Sequence, residues 1–219
     1  LRSLVGSEMC IRDRIKIELN YSLRAHIFEP VYSSILPETF DDRMKIRMVN
    51  PMEIFAAKGN ALITRAAARD LYDWCNMLSE GLFEEQRDLF RKCFLFYMTI
   101  SADTLNKSFD TSAIDTLDFN KIRRDLFPVL NKKDNFQLDE RKKIAKNYIL
   151  NLMVLTTKEK EYLDRFEEKK YMPELLFEDA EIVERVKNHP MALWKCKESI
   201  SYVYILFQGI SRCLKYQEK

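Results

Sequence analysis

Between Lys58 and Asp73, one lysine, two arginines and two aspartates fall within a stretch that reads as helix. At roughly 100° per residue, Arg65, Arg69 and Tyr72 lie within about 40° of Lys58, and Asp73 lies about 60° away. Asp70 lies about 120° round from Lys58 if the helix is unbroken. A row of three cations, Lys58, Arg65 and Arg69, with Ala61 and Leu62 between them, suits a polyanion such as a nucleoside triphosphate. The same residues suit a solvated face crossed by acid–base pairs, since Arg69 and Asp73 are four apart and would pair anyway. Geometry alone leans to that second reading, because charge runs are usually surface.

The rest of the composition favours helix around this stretch. Only 4 glycines and 6 prolines occur in 219 residues that are 47% hydrophobic, enough apolar content for a substantial core in one or two domains. The 36 basic and 34 acidic residues nearly cancel, so any site for a polyanion must be a local patch. The longest apolar candidate for a membrane span, Ile200 to Ile210, is too short to cross a bilayer. The 5 cysteines, Cys10, Cys75, Cys93, Cys196 and Cys213, form no C-x-x-C pair. They read as reduced thiols of a cytoplasmic protein, with Cys75 and Cys93 as small core residues. With His26 and His189 far apart, zinc is poorly supported.

Ile15, Ile17 and Leu19 alternate with polar neighbours as in a half-buried strand, and Arg43 to Val49 alternates likewise. These two strands are expected to pair, while Phe28 to Asp42, with two prolines, reads as loop. Asn50 and Pro51 read as N-cap and first residue of a helix that runs to about Leu78, with a break near Ala67 or Ala68 left open. Gly81 suits its C-cap. Further helices are expected over Glu84–Ser101, Asp118–Phe127, Leu138–Leu155, Thr157–Lys169 and Asp179–Asn188, the last ended by His189-Pro190. Thr156 or Thr157 would cap the fifth of these six. Ser199 to Arg212 reads as a final amphipathic helix or an added tail.

The pattern K-x-x-A-L-x-x-R-x-x-x-R-D-x-x-D from Lys58 to Asp73 resembles the helical signature of the AbiEii/AbiGii family of nucleotidyltransferase-fold toxins from bacterial toxin–antitoxin systems. Ile15 to Tyr21 resembles a late strand of that family's catalytic sheet, and Asn50 to Ala57 the approach to its signature helix. Leu175 to Asp179 and Asn188 to Lys195 resemble its C-terminal region, so the likeness covers about residues 15–195. It implies an α+β, predominantly α-helical fold, the remnant of a nucleotidyltransferase sheet followed by a helical bundle. The expected division is 15–80 for the nucleotidyltransferase part, 81–195 for a helical domain and 196–219 for a C-terminal helix or tail. Residues 1–14 are set aside: Leu4 to Arg14 resembles a peptide translated from a sequencing adapter.

The resemblance implies transfer of a nucleoside monophosphate from an NTP to an acceptor, in some members RNA, with Mg²⁺ as cofactor and a cognate antitoxin encoded nearby. It implies that Lys58 reaches the nucleotide phosphates, where a compact ammonium is well suited. Arg65 and Arg69 would hold phosphate or lock the helix to its neighbours. Asp70 and Asp73 fall on the signature's acidic positions, with a role in placing the acceptor or orienting Lys58. Glu18, on the polar face of its strand, would be the third carboxylate at the metal, or an ordinary exposed glutamate. The Gly-Ser turn and D-x-D pair that enzymes of this superfamily carry on an early strand do not precede Ile15; Gly6-Ser7 with Asp13 imitates them only superficially. The expectation is therefore a C-terminal fragment, inactive in transfer as it stands. The alternative is a non-catalytic helical interaction domain that binds a partner protein or RNA. His26 reads as a loop histidine, and His189 as a residue at a helix end where positive charge is favourable. Phe94, Phe96 and Tyr97 have the spacing of a helix core rather than of a base-stacking platform.

Overall fold

The computed structural model describes residues 25–34, 45–101, 105–130 and 136–197. Within them the fold is α+β and predominantly helical, as the sequence predicts. The strands β1 (Val31–Ser34) and β2 (Lys45–Met48) form an antiparallel ribbon with Val31 opposite Met48 and Ser34 opposite Lys45. This corrects the reading of Phe28 to Asp42 as loop throughout. Val31 and Tyr32 are strong strand formers, and Pro30 stands just before the strand, where its missing N–H breaks no ladder. The described ladder pairs β2 with β1. The predicted strand Ile15–Leu19, with Glu18, lies outside the described residues, as do residues 1–14 and 198–219.

Asn50 caps α1 (Pro51–Thr64), its Oδ1 accepting from the Met52 N–H at 3.0 Å, with Pro51 at the first helical position. α1 then stops and α2 (Ala68–Ser79) starts in a new direction. At the junction Ala66 has φ 48°, in the left-handed region, and its N–H bonds to the Ala61 carbonyl at 3.2 Å. Gly81, at φ 64°, ends α2 in the C-cap place the sequence predicts.

α3 (Arg87–Ser101) is the axis of the molecule. Cys93 to Ile100 are all buried, so this helix is apolar all round and must be covered on every side. α1 packs along it, and α7 (Thr157–Glu167) and α9 (Pro190–Cys196) cover other sides. α2 packs on α6 (Leu138–Leu152) and on α5 (Phe119–Asp125). The one-turn α4 (Ser112–Asp115) and α8 (Ala180–Val186) complete the set, with 3₁₀ turns at Phe127–Val129 and Pro173–Leu175. α4 and α9 were not expected from the sequence. A buried Arg91–Glu159 pair at 2.9 Å ties α3 to α7, and Glu159 also closes a capping box with Thr156. Cys75 and Cys93 are buried core residues, as read from their apolar surroundings. Phe94, Phe96 and Tyr97 likewise sit in the core.

One close approach fixes how α1 sits. A Cβ on Gly59 would come 2.3 Å from the Trp74 ring and 2.6 Å from Phe94, so α1 rests on α2 and α3 at a point only glycine allows. Trp74, fully buried, packs on Phe90 and edge-on to Phe94 and Tyr148. Among the described residues no helix is long and apolar enough to cross a membrane.

Candidate functional site

The bend between α1 and α2 rearranges the charges that an unbroken helix would line up. Lys58 of α1 forms an ion pair with Asp73 of α2, each side chain 35% exposed. Arg65, the C-cap residue of α1, grips Asp70 in the first turn of α2 with two bonds, Nε to Oδ2 at 3.0 Å and Nη2 to Oδ1 at 3.2 Å. Arg69 turns away and donates from Nε to the Asp125 carbonyl of α5 at 3.2 Å. The predicted single row of Lys58, Arg65 and Arg69 is therefore a correction: the row becomes two ion pairs across an elbow and one arginine bridging to α5. Nor does Arg69 pair with Asp73.

Both helix ends favour the Arg65–Asp70 pair. A cation stands at the negative end of α1 and a carboxylate at the positive end of α2, which has no side-chain N-cap of its own. Asp70 is nearly buried and Arg65 is 68% exposed. The hydrogen bond to Asp70, followed by its charge, pushes the Arg65 guanidinium above its usual value. This pair reads as the lock on the elbow. The Lys58–Asp73 pair is the more open one, with about a third of each side chain exposed.

Glu53 is a polar residue of α1 that the sequence-derived set lacks. It is buried and accepts the Ile27 N–H at 2.8 Å, the Phe28 N–H at 3.1 Å and the Tyr97 hydroxyl at 2.6 Å. Three residues after Asn50, it has the spacing of a capping-box acid, which would have turned it back to its own helix end. It instead ties residues 25–29 to α1. Two other side chains hold the same segment. Arg185 of α8 donates to the Ile27 carbonyl at 3.2 Å and to Glu29 at 2.6 Å. His189 donates from Nε2 to the Ala25 carbonyl at 3.3 Å.

His189 departs from its expected role. It is the N-cap of α9, 1% exposed and edge-on to Phe96. Burial lowers its pKa, so it is held neutral rather than positive. His26 lies in the tied segment, 3.7 Å from the Glu53 carboxylate and 36% exposed.

Among the described residues no three His, Cys, Asp or Glu side chains gather to hold an ion. Asp70 and Asp73 are each matched by a cation, so they do not fit a magnesium site. Glu18, the carboxylate assigned to the metal, lies outside the described residues.

A family model, "Nucleotidyl transferase AbiEii toxin, Type IV TA system", matches residues 9–146. The match begins within the segment set aside and runs through β1, β2, α1 to α5 and most of α6, with the whole elbow inside it. It stops short of the Leu175–Asp179 and Asn188–Lys195 motifs. Neither a curated protein nor a solved structure matches the chain. With the match covering well over half its length, the chain belongs to the AbiEii family of nucleotidyl transferase toxins of type IV toxin–antitoxin systems.

Proposed function

We propose that the α1–α2 elbow is the triphosphate-binding part of a nucleotidyl transferase, with Lys58 as the phosphate contact and Asp73 as the residue that positions it. The observation that carries this reading is the Lys58–Asp73 pair itself. It joins two helices across the elbow, stays partly open to solvent and lies within the residues that the family model matches. An ammonium already held by a carboxylate gives up little freedom when a phosphate arrives, and it retains two further N–H donors. Arg65 and Asp70 keep the elbow angle, and Arg69 fixes α2 against α5.

In the reaction, an acceptor hydroxyl oxygen bonds to the α-phosphorus of the NTP. The bond from that phosphorus to the bridging oxygen breaks, pyrophosphate leaves, and the hydroxyl proton is lost to solvent or a base. The Lys58 charge stabilises the negative charge gathering on the departing pyrophosphate. The chemistry of such transferases calls for Mg²⁺ held by paired carboxylates. No two aspartates stand two apart anywhere in the 219 residues, so we assign this chain nucleotide binding and not transfer on its own. The acceptor in this reading is RNA, the reaction is cytoplasmic, and the partner that restrains it is a cognate antitoxin.

Thermal denaturation of the 219-residue chain with each of the four NTPs tests the assignment. One or more should raise the midpoint, and Lys58→Ala should abolish that rise while leaving the unliganded midpoint nearly unchanged, because a half-exposed lysine adds little to folding. An NTP shift that survives in Lys58→Ala would overturn the site. Radiolabel passing from α-labelled NTP to RNA with this chain alone would overturn the separation of binding from transfer.

A further inference from the structure

We propose that α5 and the 3₁₀ turn behind it form a surface for single-stranded nucleic acid, with Phe119 as the base-stacking platform and Arg123 and Arg124 as phosphate contacts. This surface lies outside the signature helices. Phe119 is 60% exposed and meets the exposed Phe127 edge to face, ring centroids 5.6 Å apart. Phe119 and Arg123 are four apart on α5 and share a face. Among the described residues Arg123 has no hydrogen-bond or ion-pair partner. The exposed Arg124 is held only by its neighbour Asp125, at 2.6 Å and 2.8 Å. Neither the open ring nor the open guanidinium does anything for the core. Flat apolar rings beside arginines match a single strand, whose bases stack while its phosphates pair.

The direction of the strand follows from the acids. Asp118 is occupied as the N-cap of α5, accepting the Lys121 N–H at 2.7 Å. Asp139 and Glu140 line the same groove as Phe119, Phe127 and Phe136. Those carboxylates repel phosphate from the groove itself, so the strand's phosphates fall to Arg123 and Arg124, which do not line it. There Arg69 meets the Asp125 carbonyl, and the cations continue through Arg65 towards Lys58, about 10 Å further along α1. The surface thus leads to the elbow. Its role as the place of the acceptor rests on the proposed function, but its binding of a strand does not.

Fluorescence anisotropy of a labelled mixed-sequence oligonucleotide, single-stranded RNA in one arm and DNA of the same sequence in the other, tests this with the full chain. Wild type should bind, more weakly as salt rises. Phe119→Ala should bind about tenfold more weakly at an unchanged melting midpoint. Arg123→Gln with Arg124→Gln should make the salt dependence shallower by about one phosphate contact or more. If Phe119→Ala does not fold, Phe119→Leu keeps the apolar bulk without the flat ring and should show the same loss. RNA bound more tightly than DNA identifies RNA as the strand, through its 2′-hydroxyls; equal binding identifies a surface that reads only stacking and charge. Undiminished binding by both variants, or no binding of either strand at low salt, overturns the proposal. NTP protection separates the two readings. Loss of oligonucleotide binding in Phe119→Ala with NTP protection kept is the expected pattern, whereas strand binding without any NTP protection in wild type would sink the elbow and leave this surface standing.

Discussion

Lys58 and Asp73 stand fifteen residues apart in the chain and meet as an ion pair across the α1–α2 elbow. Both side chains are 35% exposed, so water screens the pair and its contribution to folding is small. A double-mutant cycle of Lys58→Ala and Asp73→Ala, read by urea denaturation, should give a coupling below about 1 kcal/mol. The same cycle read by NTP protection should show strong coupling, because without Asp73 the ammonium loses its fixed position. A stability coupling of several kcal/mol would recast the pair as a structural clasp.

Much of this elbow is legible in the sequence, and the rest is not, for definite physical reasons. Asn50-Pro51 announces the start of α1 through local chemistry alone, and Gly81 announces the end of α2. The sequence leaves a break near Ala67 or Ala68 open, and the break is there, but nothing local marks the turn, since Arg65-Ala66-Ala67-Ala68 are all good helix formers. What bends the chain there is tertiary: the Gly59–Trp74 contact and the grip of Arg65 on Asp70. An unbroken helix would put Asp70 about 140° round from Arg65, too far for the pair they form across the elbow. Glu53 was hidden for a similar reason. Its partners, Ile27, Phe28 and Tyr97, are 25 to 44 residues away, a distance no local pattern reports.

Gly59 should be intolerant of even one added methyl group. In an ordinary exposed helix interior, glycine to alanine stabilises by about 1 kcal/mol. Here the new Cβ meets the rings of Trp74 and Phe94, rigid and buried side chains that cannot swing aside. Gly59→Ala should therefore reverse the usual sign and destabilise by about 3 kcal/mol in chemical denaturation. A stabilised variant would show that α1 can slide away from α2 without cost.

His189 makes stability depend on pH in the mildly acidic range. Burial depresses its folded-state pKa, while the unfolded chain takes up its proton near 6.5. Below that value the unfolded state binds a proton that the folded state refuses. Its contribution is thus complete above about pH 6.5 and is lost progressively as the pH falls through the window down to the folded value. His189→Gln should flatten the melting midpoint between pH 7 and 5 relative to wild type (roughly the span over which free histidine titrates). An identical pH profile in the variant would mean that other groups carry the dependence.

The final prediction concerns Ala66. An alanine at φ 48° stands in the left-handed region, where its Cβ crowds the following carbonyl at a cost of about 1–2 kcal/mol. Glycine has no such penalty. It gives back part of the gain through the extra freedom of the unfolded chain, about 0.4–1 kcal/mol, and through a lost methyl contact. Ala66→Gly should therefore range from neutral to about 1 kcal/mol more stable. Ala61→Gly, the same change five residues earlier inside α1, should cost about 1 kcal/mol. The contrast isolates the elbow, because a continuous helix would charge both positions alike. Equal losses at Ala61 and Ala66 in urea denaturation would mean that α1 runs straight through in solution. Lys58 and Asp73 would then return to one helix face, and the positioning role given to Asp73 would fall with the elbow.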